Sequence, residues 1–347
     1  SLGLVGSEMC IRDRKNNIRV FLMLPDAREY GIGPCGFCDN WRCNLPKPYC
    51  KDYVKWVEEL ANLSLKYPVL EGIFIDDFEC GATCGNNPGF SVDYIKRVMQ
   101  AKNSINPNFK FLPGVYLPRG LSDFEITQDY ECEHGKTISL TANVSYTGEV
   151  DEAYFELITS GHQTTCYTEQ ILINGEKKFE RNLEGLHLEK IDLNGYNISN
   201  LTISYKLNKT GYVCYLDWFI LPHLLINGKE IALNWNVKGD ECYEIKEYYK
   251  WIKQYYDIAD GVVFFSNTFD LITPENDIIE GLLNIAKEKI GKDKVIFGHF
   301  YGAEPWKEPV FPSDYYFDTF AKINIQKTDG VKPWYAFLLP YYLNYSS

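Results

Sequence analysis

The apolar positions of the chain form six short runs separated by amphipathic stretches. The runs are rich in Val, Ile and Phe, which is typical of buried strands. They span residues 18–24, 72–76, 109–116, 261–266, 294–301 and 333–340. Apolar residues at helical spacing occupy 52–65, 91–105, 245–256 and 278–286. Buried strands that alternate with helices predict an α/β unit built on a parallel sheet.

Two residues mark expected helix ends. Ser91 precedes an apolar stripe and has the side chain of a good N-cap. Gly291 follows the last apolar position of another stripe, where glycine commonly ends a helix.

The pattern changes between about residues 127 and 236. Helical spacing disappears there, and short runs of alternating apolar and polar residues replace it. Asn174-Gly175, Asn194-Gly195 and Asn227-Gly228 separate these runs, and Asn-Gly is a turn that tight hairpins favour. A segment of roughly 110 residues with this texture suits one β-sandwich. Because the α/β pattern resumes afterwards, the sandwich is predicted to be an insertion.

We therefore predict a (β/α)8 TIM-type barrel that lacks its first two strands and contains an inserted all-β sandwich. A complete barrel has eight strands, so the six runs become strands three to eight, and the insertion falls between the fifth and the sixth. The predicted boundaries are 15–126 and 237–347 for the barrel and 127–236 for the sandwich. A doubly wound open sheet is the alternative, but the chain has no Gly-rich phosphate loop to support it.

Acidic residues follow the second apolar run directly. Asp76 and Asp77 come immediately after Ile75, and Glu79 lies two residues further on. Chemistry in α/β folds gathers at the carboxyl ends of the strands. Two adjacent carboxylates are costly unless they are solvated, paired, metal-bound or sharing a proton. An active site is the leading explanation, and a cap on the following turn is the alternative for Asp77.

The sequence around these acids resembles a known group of enzymes. The stretch 75–78 (Ile-Asp-Asp-Phe), followed by a helix and the run 106–116, resembles glycoside-hydrolase-like (β/α)8 barrel proteins. Within the insertion, 171–175 and 216–220 resemble a jelly-roll carbohydrate-binding module. The resemblance implies a carbohydrate substrate and two carboxyl groups that flank the glycosidic bond.

The same resemblance implies roles for individual residues. In a large clan of barrel glycosidases the acid/base follows strand four and the nucleophile ends strand seven, which implies catalytic roles for Asp76 or Asp77 and for Glu304. The chain departs from that clan because its fourth strand ends in Asp-Asp instead of Asn-Glu. The alternative for Glu304 is a solvated loop acid. Seven further residues are expected to bind substrate: Asp26, Arg28, Tyr116, Asn267, His299, Tyr301 and Trp306. For His299 the alternative is a packed core histidine.

Composition narrows the choice of partner. The net charge is −12 without a basic stripe, which argues against a nucleic-acid partner. No apolar run reaches the roughly 18 residues that a membrane span needs. The 26 Tyr, 20 Phe and 7 Trp are expected mostly in the core, with some Tyr and Trp on loops stacking against sugar rings. No motif indicates a cofactor.

Cysteines and sequons favour an oxidising compartment. Of 11 cysteines, six crowd into two loop-like stretches: Cys35, Cys38, Cys43, Cys50, Cys80 and Cys84. We expect disulfides. A zinc site formed by the first four is the alternative, although the Cys43 to Cys50 spacing is too wide for a zinc knuckle. Glycosylation sequons begin at Asn62, Asn143, Asn197, Asn200, Asn208 and Asn344.

Residues 1–14 do not resemble native protein. They lack the continuous apolar core of a signal peptide, and 5–13 resembles translated sequencing-adaptor sequence. We expect 1–14 to be an artefact that replaces the native N-terminus and any signal peptide. A secreted or extracellular protein is the resulting expectation.

Three functions fit this sequence. The first is a secreted glycoside-hydrolase-like enzyme, which predicts a converging pair of carboxylates and aromatic walls. The second is a non-catalytic carbohydrate-binding protein with a degenerate barrel, which predicts aromatic residues without a second carboxylate in range. The third is a metal-dependent hydrolase that uses Asp76, Asp77 and His299. It is the weakest because the chain has five histidines and no paired His motif, so no metal is expected.

Overall fold

The structure, a computed structural model, describes residues 20–24, 52–75, 78–83, 90–128, 133–163, 166–183, 185–211, 216–266, 276–301 and 332–337. The chain divides into two compact units. The parallel-sheet unit comprises Ser1–Gly120 and Ile252–Ser347, and the sandwich unit comprises Leu121–Trp251.

Strands outnumber helices in the described residues. The strands are β1 (Val20–Leu24), β2 (Leu70–Ile75), β3 (Lys110–Tyr116), β4 (Phe124–Gln128), β5 (Thr137–Val144), β6 (Ala153–Gln163), β7 (Tyr167–Ile173), β8 (Glu176–Asn182), β9 (His187–Asp192), β10 (Leu201–Lys209), β11 (Leu216–Ile226), β12 (Lys229–Ile231), β13 (Trp235–Gly239), β14 (Tyr243–Glu247), β15 (Val262–Ser266), β16 (Val295–Tyr301) and β17 (Lys332–Phe337). The α-helices are α1 (Tyr53–Lys66), α2 (Phe78–Thr83), α3 (Val92–Ile105), α4 (Tyr248–Ile258) and α5 (Asn276–Ile290). None of the helices in these ranges is long and apolar enough to cross a membrane.

The parallel-sheet unit contains one six-stranded sheet with the order β1-β2-β3-β15-β16-β17. All five neighbouring pairs are parallel. The order follows the chain without reversing, whereas a doubly wound sheet reverses its order at a switch point. The sheet is therefore singly wound, as in a barrel. Closure into a barrel is not seen within the described residues, where β1 and β17 are the two ends of the strand order.

Aromatic contacts distinguish the two faces of this sheet. Phe111 packs against Phe78 of α2, with ring centroids 6.5 Å apart, and Phe264 packs against Tyr256 of α4 at 6.2 Å. Side chains alternate along a strand, so the neighbouring positions point to the opposite face. That face carries a separate apolar cluster: Phe21, Phe74, Leu112, Tyr116, Val263, Phe265 and Ile296. The helices whose contacts fix a face thus lie on one side of the sheet, and this inner apolar cluster lies on the other.

Glycines let the inner face pack closely. A Cβ atom on Gly72 would meet the Lys110 carbonyl oxygen at 2.4 Å, and one on Gly114 would meet the Ile75 carbonyl oxygen at 2.6 Å. The ring of Phe265 would lie 2.7 Å from the same added atom on Gly114. A bulky ring on one strand therefore occupies the space that a glycine leaves on its neighbour.

The helix boundaries follow the capping rules. The side chain of Ser91 accepts a hydrogen bond from the backbone N–H of Tyr94, which confirms Ser91 as the N-cap of α3. Gly291 follows α5 with a φ of +100°, a conformation that favours glycine. One predicted boundary is wrong. Helix α4 begins at Tyr248, and Ile245 belongs to strand β14, where it pairs with Ile126.

The sandwich unit contains two antiparallel sheets. One has five strands in the order β13-β5-β10-β7-β8, and the other has six strands counting β12, with the main path β14-β4-β11-β6-β9. Strand β12 pairs with β11 outside that path. Alternate residues of both sheets point inward and form one hydrophobic core that includes Tyr205 and Trp218. Two sheets over one core are the architecture of a β-sandwich.

The Asn-Gly pairs act as predicted in two hairpins. In the β7–β8 connection both Asn174 (φ +51°) and Gly175 (φ +81°) have positive φ. The β11–β12 connection repeats this with Asn227 and Gly228, at +51° and +71°. Positive φ at both central residues is the type I′ turn that matches the twist of paired strands.

Candidate functional site

The connections at the two edges of the parallel sheet differ greatly in length. At the amino ends of the strands the connections are short: residues 67–69, 106–109, 259–261 and 291–294. After the carboxyl ends of β1, β2, β3 and β15, more residues precede the next described helix of more than ten residues: 25–52, 76–91, 117–247 and 267–275. One of these, 117–247, contains nearly all of the sandwich unit. In barrel enzymes the connections that follow the strands build the active site, and those that precede them serve stability.

Tyr116 is the candidate residue at this carboxyl edge whose side chain the structure describes. It ends β3, is half-buried, and packs on Phe265 with ring centroids 5.9 Å apart. The next residue, Leu117, donates its backbone N–H to the Phe265 carbonyl at 2.8 Å and precedes Pro118 through a cis peptide bond. Tyr116 thus ends the inner apolar cluster with a ring that carries a polar group, which suits contact with a sugar.

A buried carboxylate lies at the same edge, on Glu79, which the sequence analysis named among the acids after the second apolar run but not among the site residues. Glu79 in α2 is 0% exposed, and its Oε1 lies 3.9 Å from Nε of Arg119. Arg119 lies in the short 3-10 helix Arg119–Leu121 that follows β3. A buried carboxylate needs such a cation nearby, because burial alone disfavours the charged form. The signal for Glu79 in the sequence is its position as the third acid after Ile75, close behind Asp76 and Asp77.

The other predicted site residues divide into two groups. His299 and Tyr301 lie in β16, where their backbones pair with those of Tyr335 and Phe337 in β17. The remaining seven, including all three catalytic candidates, lie outside the described residues: Asp26, Arg28, Asp76, Asp77, Asn267, Glu304 and Trp306. By chain position, each of these seven falls in a connection that follows the carboxyl end of a strand.

Metal binding has no candidate in the part of the chain that the structure describes. No group of three or more His, Cys, Asp or Glu side chains there could hold a metal ion. Five of the six clustered cysteines, Cys35, Cys38, Cys43, Cys50 and Cys84, lie outside that part. Elsewhere, Cys166 and Cys242 each take part in a disulfide.

The sandwich unit contains a buried charged network that the sequence analysis also missed. Glu169 of β7 is 0% exposed and accepts hydrogen bonds from Arg181 Nε at 2.5 Å and from the Tyr205 hydroxyl at 3.0 Å. The Thr159 hydroxyl, from the opposite sheet, donates to the same carboxylate at 3.3 Å. Burial raises the pKa of the Glu169 carboxyl, and these three donors oppose that rise. The arrangement links the two sheets through one carboxylate.

His187 lies beside this network on β9. Its ring stacks on Phe179 with centroids 5.5 Å apart and an interplanar angle of 15°, and its Nε2 lies 3.4 Å from Oε2 of Glu189. Burial and the nearby Arg181 charge lower the pKa of His187 from 6.5 to about 4. The imidazole is therefore neutral at physiological pH.

No known protein family matches the chain, and no curated protein matches it by sequence. Several solved structures resemble parts of it weakly. A beta-glucosidase from Kluyveromyces marxianus in complex with glucose is 9% identical, with a TM-score of 0.18, over 47% of this chain and 18% of the enzyme. A cycloisomaltooligosaccharide glucanotransferase from Paenibacillus sp. is 12% identical, with a TM-score of 0.21, over 48% and 26%. An alpha-xylosidase from Xanthomonas citri is 12% identical, with a TM-score of 0.15, over 62% and 29%. The chain spans less than a third of each enzyme, and similarity this weak carries no argument about function.

Proposed function

We propose that the protein is carbohydrate-active and hydrolyses a glycosidic bond at the carboxyl edge of its parallel sheet. The observation that carries this proposal is the asymmetry of the connections, which are long after the strands and short before them. In singly wound barrels, enzyme sites are built from the long connections. In this proposal the sheet is part of a (β/α)8 barrel, with its six strands in the third to eighth positions.

The proposed chemistry needs two carboxyl groups on one face. Asp76 and Asp77 follow β2, and Glu304 follows β16. Two other strands, β3 and β15, lie between β2 and β16 in the sheet. On a flat sheet the two strand ends would be roughly 14 Å apart, at about 4.8 Å per strand. Hydrolysis requires about 5–5.5 Å for a retaining enzyme or about 6.5–9.5 Å for an inverting one. The proposal therefore requires the sheet to curve toward its inner face, as a barrel does.

We further propose that the sandwich unit is a jelly-roll-like carbohydrate-binding module and that the protein is secreted. Its two antiparallel sheets over a single core support the first statement. The disulfides of Cys166 and Cys242 support the second, because disulfides persist in oxidising compartments.

Substitution of the acids tests the proposed hydrolysis. The full chain and its Asp76→Asn, Asp77→Asn and Glu304→Gln variants would be assayed on a panel of aryl glycosides and oligosaccharides. Loss of a general acid or base should lower kcat about 10²–10⁴-fold. Asp93→Asn is the matched control because Asp93 lies on α3 with its side chain 92% exposed, and it should leave kcat unchanged.

The alternative, a non-catalytic carbohydrate-binding protein, gives a different result. In that case no substrate is hydrolysed, sugar binding persists in affinity electrophoresis, and Tyr116→Ala weakens it. A wild-type chain that neither hydrolyses nor binds any sugar of the panel would refute both functions.

A further inference from the structure

Three sequons of the sandwich unit converge at one end of the five-stranded sheet. Asn143 lies near the carboxyl end of β5, while Asn197 and Asn200 lie just before and in the 3-10 turn that leads into β10. The register pairs Val144 with Leu201 and Asn143 with Thr202. Asn143, Asn197 and Asn200 are all exposed. Their proximity is not visible in the sequence, where Asn143 and Asn197 are far apart.

The hydrogen bonds of Asn143 and Asn197 engage only the side-chain oxygen. The Thr202 hydroxyl donates to Oδ1 of Asn143 at 3.0 Å, and the backbone N–H of Ser199 donates to Oδ1 of Asn197 at 3.2 Å. Within the described residues, neither Nδ2 atom has a protein acceptor. An N-linked glycan is attached to Nδ2 and leaves Oδ1 free to accept. Both side chains are therefore held in a way that a glycan would preserve.

Asn62 in the parallel-sheet unit shows the opposite arrangement. It is exposed in α1, but its Nδ2 donates to the Glu58 carbonyl at 3.0 Å. Asn208, the fourth sequon of the sandwich unit, is half-buried. It lies on β10, where it pairs with Thr137 of β5 on one side and Thr168 of β7 on the other. Neither residue combines full exposure with a free nitrogen.

The surface next to Asn143 suits a glycan. Every outward position of β5 and β10 is Ser, Thr, Asn or Lys, and none is aromatic or aliphatic. Hydroxyls on this face bond across strands, as between Thr141 and Ser204 at 3.3 Å. Such a face offers a glycan polar contacts and offers a protein partner no apolar anchor.

We propose that Asn143 and Asn197 carry N-linked glycans at this end of the sandwich. The inference rests on the proposed secretory route. The donor class is a polyprenyl-pyrophosphate-linked oligosaccharide. The Asn Nδ2 forms a bond to the anomeric carbon of the donor, the bond from that carbon to the pyrophosphate oxygen breaks, and one amide proton is released.

Expression of the full chain behind a heterologous signal peptide in eukaryotic cells tests the proposal. Glycan release in ¹⁸O-water by a peptide N-glycosidase, an amidase that hydrolyses the bond between Cγ and Nδ2, converts each glycosylated Asn to a labelled Asp, which peptide mass spectrometry locates. We expect label at Asn143 and Asn197 and little at Asn62. Asn143→Gln and Asn197→Gln should each remove one glycan from the intact mass, whereas Asn62→Gln should remove none.

Ser145→Ala and Ser199→Ala keep the proposal testable if an Asn variant fails to fold. Each destroys a sequon while leaving the asparagine and its hydrogen bond in place, and each should remove the same single glycan. Unlabelled Asn143 or Asn197 in secreted protein, or Asn62 labelled to the same extent, would overturn the proposal. Because the signal peptide is supplied, such a failure would be independent of the native compartment and of any hydrolytic activity.

Discussion

Replacing Arg181 by Met should destabilise the sandwich unit by an amount that depends on pH. Arg181 supplies the only cation among the three donors to Glu169 described above, and its side chain is 17% exposed. Removing one partner of a buried ion pair costs about 3–5 kcal/mol because the other charge stays buried. Met fills much of the volume of the Arg stem, so this loss reports the charge more than the packing.

The pH dependence follows from the direction of the pKa change. Burial already raises the pKa of Glu169, and Arg181 is the charged group among the described residues that opposes that rise. A carboxyl whose folded pKa exceeds its unfolded value stabilises the fold at low pH and loses that contribution as pH rises through the folded pKa. The variant should therefore lose about 3–5 kcal/mol near pH 7.5 and only about 1–2 kcal/mol near pH 4.5, where the protonated carboxyl keeps its neutral hydrogen bonds.

The assay is urea unfolding of the full chain at both pH values, read by pulse-labelling hydrogen exchange on peptides from β7 and β10. Lys177→Met is the matched control. Lys177 lies on β8, the strand that also contains Arg181, but it is exposed and pairs with Glu180. This substitution should cost at most about 1 kcal/mol at either pH. An Arg181→Met loss that is the same at both pH values, or no larger than that of Lys177→Met, would refute the reasoning.

Two further predictions concern a histidine and a pair of glycines. The pKa of His187 is lowered in the folded protein, so as the pH decreases the unfolded chain binds a proton at this residue before the folded chain does. The free energy of unfolding of the wild type should therefore decrease as the pH is lowered from about 6.5 to about 4. After allowance for the partial exposure of the ring, we expect a loss of about 1–2 kcal/mol, and His187→Gln should remove that part of the pH profile of the urea midpoint. Gly114→Ala should destabilise the parallel-sheet unit by about 2 kcal/mol, because the new Cβ would crowd backbone and Phe265. Gly281→Ala in α5 meets nothing within 4 Å and should stabilise the unit by about 0.5–1 kcal/mol; equal melting temperatures for the two variants would contradict this contrast.

The sequence predicted the parallel sheet well because its central strands, β2, β3 and β15, are buried on both faces. Such strands appear as continuous apolar runs, and all six runs correspond to strands of the sheet. The order of the runs along the chain also matched the order in space, since singly wound sheets place consecutive strands side by side.

The junction between the units was harder to predict. Ile245 fits a helical stripe with Ile252 and Tyr256, yet it pairs in β14 with Ile126 of β4. Both strands are five residues long, which is too short for alternation to stand out from the neighbouring helical pattern. Tertiary pairing, rather than local spacing, decides the structure there.

The buried charges escaped the sequence analysis for a related reason. Arg181 and Tyr205 are 12 and 36 residues from Glu169 along the chain, so no local motif joins them. A signal was nevertheless present. In β7 the inward positions are Tyr167, Glu169, Ile171 and Ile173. A Glu in an otherwise apolar alternation predicts a buried carboxylate that needs a cation. All three proposed catalytic acids, Asp76, Asp77 and Glu304, lie outside the described residues, so their arrangement stays a prediction.

The inserted sandwich also affects the order in which the chain assembles. The backbone N–H of Phe111 in β3 donates to Asp260, just before β15, across 149 residues of chain. The first and last strands of the insertion, β4 and β14, pair with each other, as Gln128 does with Tyr243. If the insertion folds first, the pairing of Phe124 with Glu247 shortens the effective loop between β3 and β15 about sixfold. The entropic cost of closing that loop then falls by about 1.5 kcal/mol. The ribosome completes the insertion before β15 emerges. The β4–β14 pair can therefore form before β15, β16 and β17 join the strands β1, β2 and β3 that precede the insertion.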